Sequence, residues 1–354
     1  MSMTGWNKYG PTAARSHGRR GPQVRPKSVT VDVHSHVAVL RAAELVKPYL
    51  ATAANPLAAF ADAATRALNQ KQEADIAAGS SLAQRLGDLD AMGIDVQVIK
   101  PPPPQCTFAV PPDIAVEAAR MVNDGIAEFV AQRPDRLKGF GTVPMPDGGE
   151  AAKELERCAT ELGFKGVQIL TNVNGRELSD PAFAPFWRKA EELGMLVVIH
   201  PNGFTEASRL SRFYFNNVIG NPLETTIALH YLIFDGVLER HPNLKILAVH
   251  GGGYLASYAG RIDHAWGARS DSHGDLPQAP TTYLRRLYFD TVVFTPDQLR
   301  ELVRLYGADR ILMGTDYPFD MGEYDPVGHV CGAGFDAETT AAICGGNVSR
   351  LLGL

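Results

Sequence analysis

His34 and His36, one residue apart, close a run of β-forming residues, Thr-Val-Asp-Val-His-Ser-His-Val (30–37). Side chains two apart on a strand leave from the same face. Both imidazoles can therefore meet at one point off the strand's C-terminal end, which is half of a site for Zn²⁺ or a similar ion. For the pair alone, a solvated turn is the competing reading. Three later segments repeat the pattern of an apolar run ending in a metal-ligating residue. Leu-Val-Val-Ile-His ends at His200, Ile-Leu-Ala-Val-His ends at His250 before three glycines, and Ile-Leu-Met-Gly-Thr-Asp ends at Asp316.

Those residues can share one site only if the strands bearing them line up in parallel. The alternation of short Val/Ile/Leu runs with helical periodicity meets that requirement. Strands are expected at 30–37, 95–100, 137–145, 164–170, 195–200, 244–250, 287–293 and 310–316. Helices are expected at 82–92, 113–132 (capped by Asp113), 149–162, 183–193, 222–240, 253–267, 296–305 and 336–352. Eight such units in about 325 residues point to a (β/α)₈ barrel, an α/β fold whose functional groups gather at the C-terminal strand ends. An open doubly wound sheet is the alternative. The first strand is followed by no glycine-rich phosphate fingerprint, which argues against its nucleotide-binding version. The Ala-rich stretch 40–78, broken by Pro48 and Pro56, is too long for a βα connection and reads as an inserted helical segment rising over the strand ends.

Composition sets the remaining bounds. The chain has 354 residues, 45% hydrophobic and 21% charged, with a net charge of −5, so nothing points to a nucleic-acid partner. No apolar run approaches the length of a membrane span. Cys106, Cys158, Cys331 and Cys344 have neither disulfide nor metal spacing, which suggests reduced thiols in a cytoplasmic protein. Residues 1–28, with Arg15, Arg19, Arg20, Arg25 and Lys27 among Gly, Pro and Ser, read as an extended tail ahead of a catalytic unit at 29–354.

The motifs go beyond the candidate ligands. Asp-Val-His-Ser-His (32–36), Leu-Gly-Phe-Lys-Gly-Val-Gln-Ile (162–169), Ile-His-Pro (199–201), Asn-Pro-Leu-Glu-Thr-Thr-Ile-Ala (221–228), Val-His-Gly-Gly-Gly (249–253), Gly-Arg-Ile-Asp-His (260–264) and Gly-Thr-Asp-Tyr-Pro-Phe (314–319) are present. In this combination the chain resembles the amidohydrolase superfamily, specifically its aminocarboxymuconate-semialdehyde decarboxylase branch, over residues 29–354. The resemblance implies one divalent metal, zinc first and manganese second, held by His34, His36, His200 and Asp316 with water completing the shell. Three neutral imidazoles and one carboxylate suit zinc with an open position. Two-metal amidohydrolases carry a carboxylated lysine at the end of strand four. Here Lys165 lies near that strand's start and Ile169-Leu170 occupy its end.

By the same resemblance His250 is the general acid–base residue, a role suited to an imidazole poised near neutral pH. Its alternative is a fifth ligand or a residue behind the ligands. Arg261 matches the family's arginine that holds a substrate carboxylate in a neighbouring subunit's site, which implies a homodimer or dimer-based oligomer. Without the resemblance Arg261 reads as a helix-surface residue. Asp290, a carboxylate inside an apolar strand, needs a buried partner and is expected behind the metal site. His264 is a candidate to line the site, while His230, His241, His273 and His329 read as structural. The family's further substrate-binding arginines are missing from 68–76, so a monocarboxylic aromatic or enol acid is the expected substrate. The function expected is a metal-dependent, non-oxidative decarboxylase of a small aromatic or unsaturated carboxylic acid. A hydrolase or hydratase of a lactone, amide or double bond is the alternative.

Overall fold

A computed structural model describes residues 20–50, 55–79, 81–106 and 109–354. Its strands in chain order are β1 (Val31–His36), β2 (Val96–Lys100), β3 (Leu137–Gly139), β4 (Gly166–Leu170), β5 (Asn172–Val173), β6 (Arg176–Glu177), β7 (Leu196–His200), β8 (Lys245–Ala248), β9 (Tyr288–Asp290) and β10 (Ile311–Leu312). One parallel sheet has the order β1-β2-β3 and a second the order β10-β9-β8-β7-β4, while β5 and β6 form a small antiparallel hairpin the sequence reading missed.

The two parallel sheets meet at two seams. At one, Gly141 bridges Val167, with Gly141 N–H donating to Gly166 O at 3.1 Å and Gln168 N–H to Gly141 O at 2.8 Å. At the other, Ser35 bridges Tyr317, and His36 N–H donates to Tyr317 O at 2.7 Å. This second seam brings His34 and His36 beside Asp316, whose own N–H donates to His34 O at 2.7 Å. Strand residues Val33, Val98, Leu196, Val198, Leu247 and Leu312 form a fully buried cluster. Each such side chain contributes roughly 1.5–3 kcal/mol.

The strands are shorter than expected where polar residues turn the chain out of the sheet. The segments expected at 137–145, 287–293 and 310–316 keep ladder pairing only at β3, β9 and β10. The helix Leu82–Met92 has the anticipated ends: Ser81 Oγ accepts from Gln84 N–H, and Gly93 closes it at φ 76°. Asp113 does not cap its helix. Pro112 takes the first helical position of Pro112–Ala131 and Asp113 sits in the first turn, near the helix's positive end. The helix expected at 222–240 breaks at Gly236, giving Asn221–Phe234 and Val237–Arg240. The expected tail also ends earlier than 28. Gly21–Val24 is a short helix with Gly21 buried, Gly21 N–H donates to Asp325 Oδ1 at 2.8 Å, and Arg25 pairs with Asp95. Residues 1–19 of that tail lie outside the described residues. Among the described residues no helix is long and apolar enough to cross a membrane.

Candidate metal centre and active site

Each of three histidines has its Nδ1 committed to an acceptor behind it. His34 Nδ1 lies 2.6 Å from Asp290 Oδ2, His36 Nδ1 2.9 Å from Pro101 O, and His200 Nδ1 2.7 Å from Pro201 O. A ring that donates from Nδ1 offers its Nε2 lone pair forward. All three Nε2 atoms face Asp316 Oδ1, at 3.1 Å from His34, 3.1 Å from His36 and 3.8 Å from His200. His34 Nε2 and His200 Nε2 are buried without a hydrogen-bond partner. Lone pairs converging on a carboxylate oxygen repel one another unless a cation lies between them. The donor set therefore fits a divalent ion.

Electrostatics favour the ligand form. Burial drives His36 well below the usual imidazole value and His200 down to about 4, so both are neutral. At His34, burial and Lys100 push downward, but the Asp316 and Asp290 carboxylates more than offset them and raise it. A metal ion would take the place of that proton. Burial acts to raise Asp316, yet the surrounding imidazoles hold it well below the carboxylate range.

Local structure explains why these side chains converge. His250 and Asp316 adopt left-handed backbone, φ 54° and 60°, which L-residues seldom do. Asp290 ties the turn at His250 to β1: its Oδ2 meets His34 Nδ1, and its Oδ1 accepts Gly251 N–H at 2.9 Å. Gly314 is required by close approach, since a Cβ there would lie 2.8 Å from His34 Cβ and 3.2 Å from Asp290 Cβ. Asp32 accepts from Thr315 Oγ1 at 2.7 Å, Gln97 Nε2 at 2.8 Å and His34 N–H at 2.9 Å, locking β1 to the segment that carries Asp316. Arg85, buried on Leu82–Met92, donates to His36 O at 2.6 Å and packs over the Tyr317 ring. In the 221–228 motif, Asn221 Oδ1 accepts Gly203 N–H at 2.7 Å and buried Glu224 accepts Thr205 N–H at 3.0 Å. These bonds fix the loop that follows His200.

His250 differs from the other three. Its Nε2 is 3.4 Å from Asp316 Oδ2, its Nδ1 has no partner, and its side chain is 17% exposed. His34, His200, His250 and Asp316 together present ligand atoms within 4.8 Å of one another. Asp290 stands behind the site as the sequence implied. Arg261 and His264 do not join it: both are exposed on Gly260–Ala268, away from the cavities that reach Asp316.

Residues 31–354 match the amidohydrolase family. The chain is an amidohydrolase. It belongs to the aminocarboxymuconate-semialdehyde decarboxylase-like branch. It is 36% identical over 272 residues to a 2-amino-3-carboxymuconate-6-semialdehyde decarboxylase of Dictyostelium discoideum, covering 76% of each chain. It is 30% identical over 259 residues to a gamma-resorcylate decarboxylase of Rhodococcus jostii, covering 67% of this chain and 77% of that one. A crystal structure of a dihydroxybenzoic acid decarboxylase from a Polaromonas species holds manganese and the inhibitor 2-nitroresorcinol. It superposes with a TM-score of 0.76 at 25% identity, over 93% of this chain and 98% of that one.

Two cavities flank Asp316 in this amidohydrolase. One, about 360 Å³, is bounded by His250, Val218, Val293, Phe294 and Leu302. The other, about 330 Å³, lies between His200 and the inserted segment and is bounded by Arg66, Asn69, Gln70, Asn202 and Phe319. The inserted segment, helical at Leu40–Val46, Pro56–Ala59 and Ala63–Gly79, thus supplies part of the second wall. Sequence reasoning missed two residues. Arg66 stands two positions ahead of the stretch searched for arginines. Lys100, fully buried at the end of β2, pairs in register with His36. It carries the signal that found His200, a polar residue closing an apolar strand.

Proposed function

We propose that this amidohydrolase is a metal-dependent, non-oxidative carboxy-lyase acting on a small aromatic or unsaturated carboxylic acid. The observation that carries the reading is the set of Nε2 lone pairs on His34, His36 and His200 aimed at the Asp316 carboxylate, each ring anchored from behind. We take the strand order and its two seams as a closed (β/α)₈ barrel spanning 29–354, with 40–78 inserted. His34, His36, His200 and Asp316 are our ligands for one divalent ion. Zinc is favoured by the His₃Asp donors, and manganese, held by the Polaromonas relative, is the alternative. When bound, the ion supplies Lewis-acid polarisation of the substrate's oxygens.

The remaining chemistry falls to side chains. His36 is a better ligand than His250, because its ring is held at Nδ1 by Pro101 O and so is preorganised, whereas Nδ1 of His250 has no partner to hold it. His250 Nε2 therefore handles the proton. As the carboxylate departs as CO₂, the electron pair of the breaking C–C bond stays on carbon and takes the proton His250 delivers. Arg66 offers a guanidinium for an acidic or phenolic group on the insertion side. Arg261, exposed on its own chain, serves a neighbouring subunit's site in a homodimer. The exposed Tyr254 and Tyr258, which precede that helix in the chain, suit such a contact. The free thiols of all four cysteines fit a cytoplasmic setting.

A metal-loaded preparation offered a panel of hydroxybenzoates and small lactones, followed by CO₂ release and ultraviolet absorbance, tests the function. CO₂ from a hydroxybenzoate is the expected result. Lactone opening without CO₂ would replace the reading with the hydrolase.

A further inference from the structure

Two asparagine oxygens near the metal centre lack the partner that burial demands. Among the described residues, Asn202 Oδ1 and Asn55 Oδ1 are buried with no hydrogen-bond partner. Asn202 as a whole is 9% exposed. An acceptor taken out of water and left unpaired costs about 1–3 kcal/mol, so native structures seldom keep one without a use. Both residues border the cavity of about 330 Å³ that lies between His200 and the inserted segment and reaches Asp316. Local bonds hold them there. Asn202 follows His200 and Pro201, and the next amide, Gly203 N–H, donates to Asn221 Oδ1 at 2.7 Å. Asn55 precedes the helix Pro56–Ala59 without capping it, and Asn216 Nδ2 donates to Pro56 O at 2.9 Å. The two segments are in close contact, since a Cβ on Gly203 would lie 3.0 Å from Leu57 N. The same cavity also offers donors: the Arg66 guanidinium and the amides of Asn69 and Gln70, three and four residues further along one face of Ala63–Gly79. The His250-side cavity differs, with Val218, Val292, Val293, Phe294 and Leu302 in its wall.

We propose that the insertion-side cavity is a subsite for a hydroxyl group of the substrate acid, which donates to the unpaired oxygen of Asn202 or Asn55 and accepts from the donors on the inserted helix. The inference rests on the carboxylic-acid reading given above and names a substituent that reading leaves open. A hydroxyl fits because it donates and accepts at once. A carboxylate or an ether only accepts and leaves both asparagine oxygens unpaired. An ammonium only donates and confronts Arg66. The carbon that loses CO₂ must lie within reach of His250, which borders the other cavity. The hydroxyl therefore sits on the part of the acid remote from that carbon, meta or para on a benzoate rather than ortho.

The experiment measures binding of 3- and 4-hydroxybenzoate and of their methoxy counterparts by titration calorimetry. The proteins are full-length and metal-loaded: wild type, Asn55→Ala, Asn202→Ala and Asn202→Leu, the last close to asparagine in size. In the wild type at least one hydroxy acid should bind about tenfold or more tighter than its methoxy counterpart. That ratio should fall to within about threefold of one in Asn55→Ala or in the Asn202 variants. Melting temperature and metal content show which variants have folded. A ratio that persists in every folded variant overturns the proposal, because the hydroxyl is then read elsewhere. Equal binding of hydroxy and methoxy acids by the wild type, or binding of none of the four, overturns it as well; water then serves the two oxygens. Failure of the decarboxylase reading shows differently: the preferred hydroxy acid is selected through the asparagines but releases no CO₂.

Discussion

Replacing Asp290 by Asn tests whether the residue behind His34 governs the centre without touching its contents. The carboxylate makes three bonds, to His34 Nδ1 at 2.6 Å, Gly251 N–H at 2.9 Å and Val292 N–H at 3.2 Å, all donors and all buried. An amide keeps one acceptor oxygen. If that oxygen stays with His34, the new NH₂ group confronts the amides of Gly251 and Val292. If it turns to them, His34 loses its anchor and its preferred tautomer. Either way one or more buried donors goes unsatisfied, at about 1–3 kcal/mol each. Outer partners of ligating histidines typically govern about 10–100-fold in metal affinity, or about 1.4–2.7 kcal/mol. The expected result is a lowered melting temperature in the metal-free protein and at least tenfold weaker metal binding by chelator competition. A variant that folds and holds its metal as tightly as wild type would refute the argument that His34 owes its orientation to Asp290.

Other consequences can be checked with the same preparations. His250→Ala should retain one metal per chain while losing roughly 10²–10⁴-fold in kcat; parallel loss of metal would make His250 a ligand. Gly314→Ala forces a Cβ to 2.8 Å from His34 Cβ, so thermal melting should report a loss of about 1–3 kcal/mol, with weaker metal retention; a fully stable, metal-loaded variant would show that the strands can part at no cost. Mixing inactive Arg261→Ala with inactive His250→Ala under conditions of subunit exchange should restore part of the activity, because some dimers then hold one intact site. No recovery after demonstrated exchange would leave Arg261 a surface residue.

The candidate ligands were legible because a strand has only two faces and one C-terminal end. A histidine or aspartate closing an apolar run can point only off that end, and four such runs in parallel bring their last residues together. His34, His36, His200, His250 and Asp316 meet for that reason, and Asp290 because a lone carboxylate among buried apolar residues must find a donor. Lys100 obeys the same rule but reads in the sequence only as the last residue of the strand expected at 95–100, since Pro101–Pro104 after it account for the ending equally well. Arg66 could not be found this way. It sits on an inserted helix whose placement over His200 depends on tertiary contacts such as Asn216 Nδ2 donating to Pro56 O at 2.9 Å, between segments 160 residues apart. Strand lengths were overestimated where the chain stays extended but leaves the ladder, as between Leu312 and Asp316. There Thr315 and the amide of Asp316 bond to Asp32 and His34 of β1 across the seam. The departure serves the site: it turns Asp316 out at a positive φ toward the three imidazoles, which a continuous strand pairing with β9 would not do.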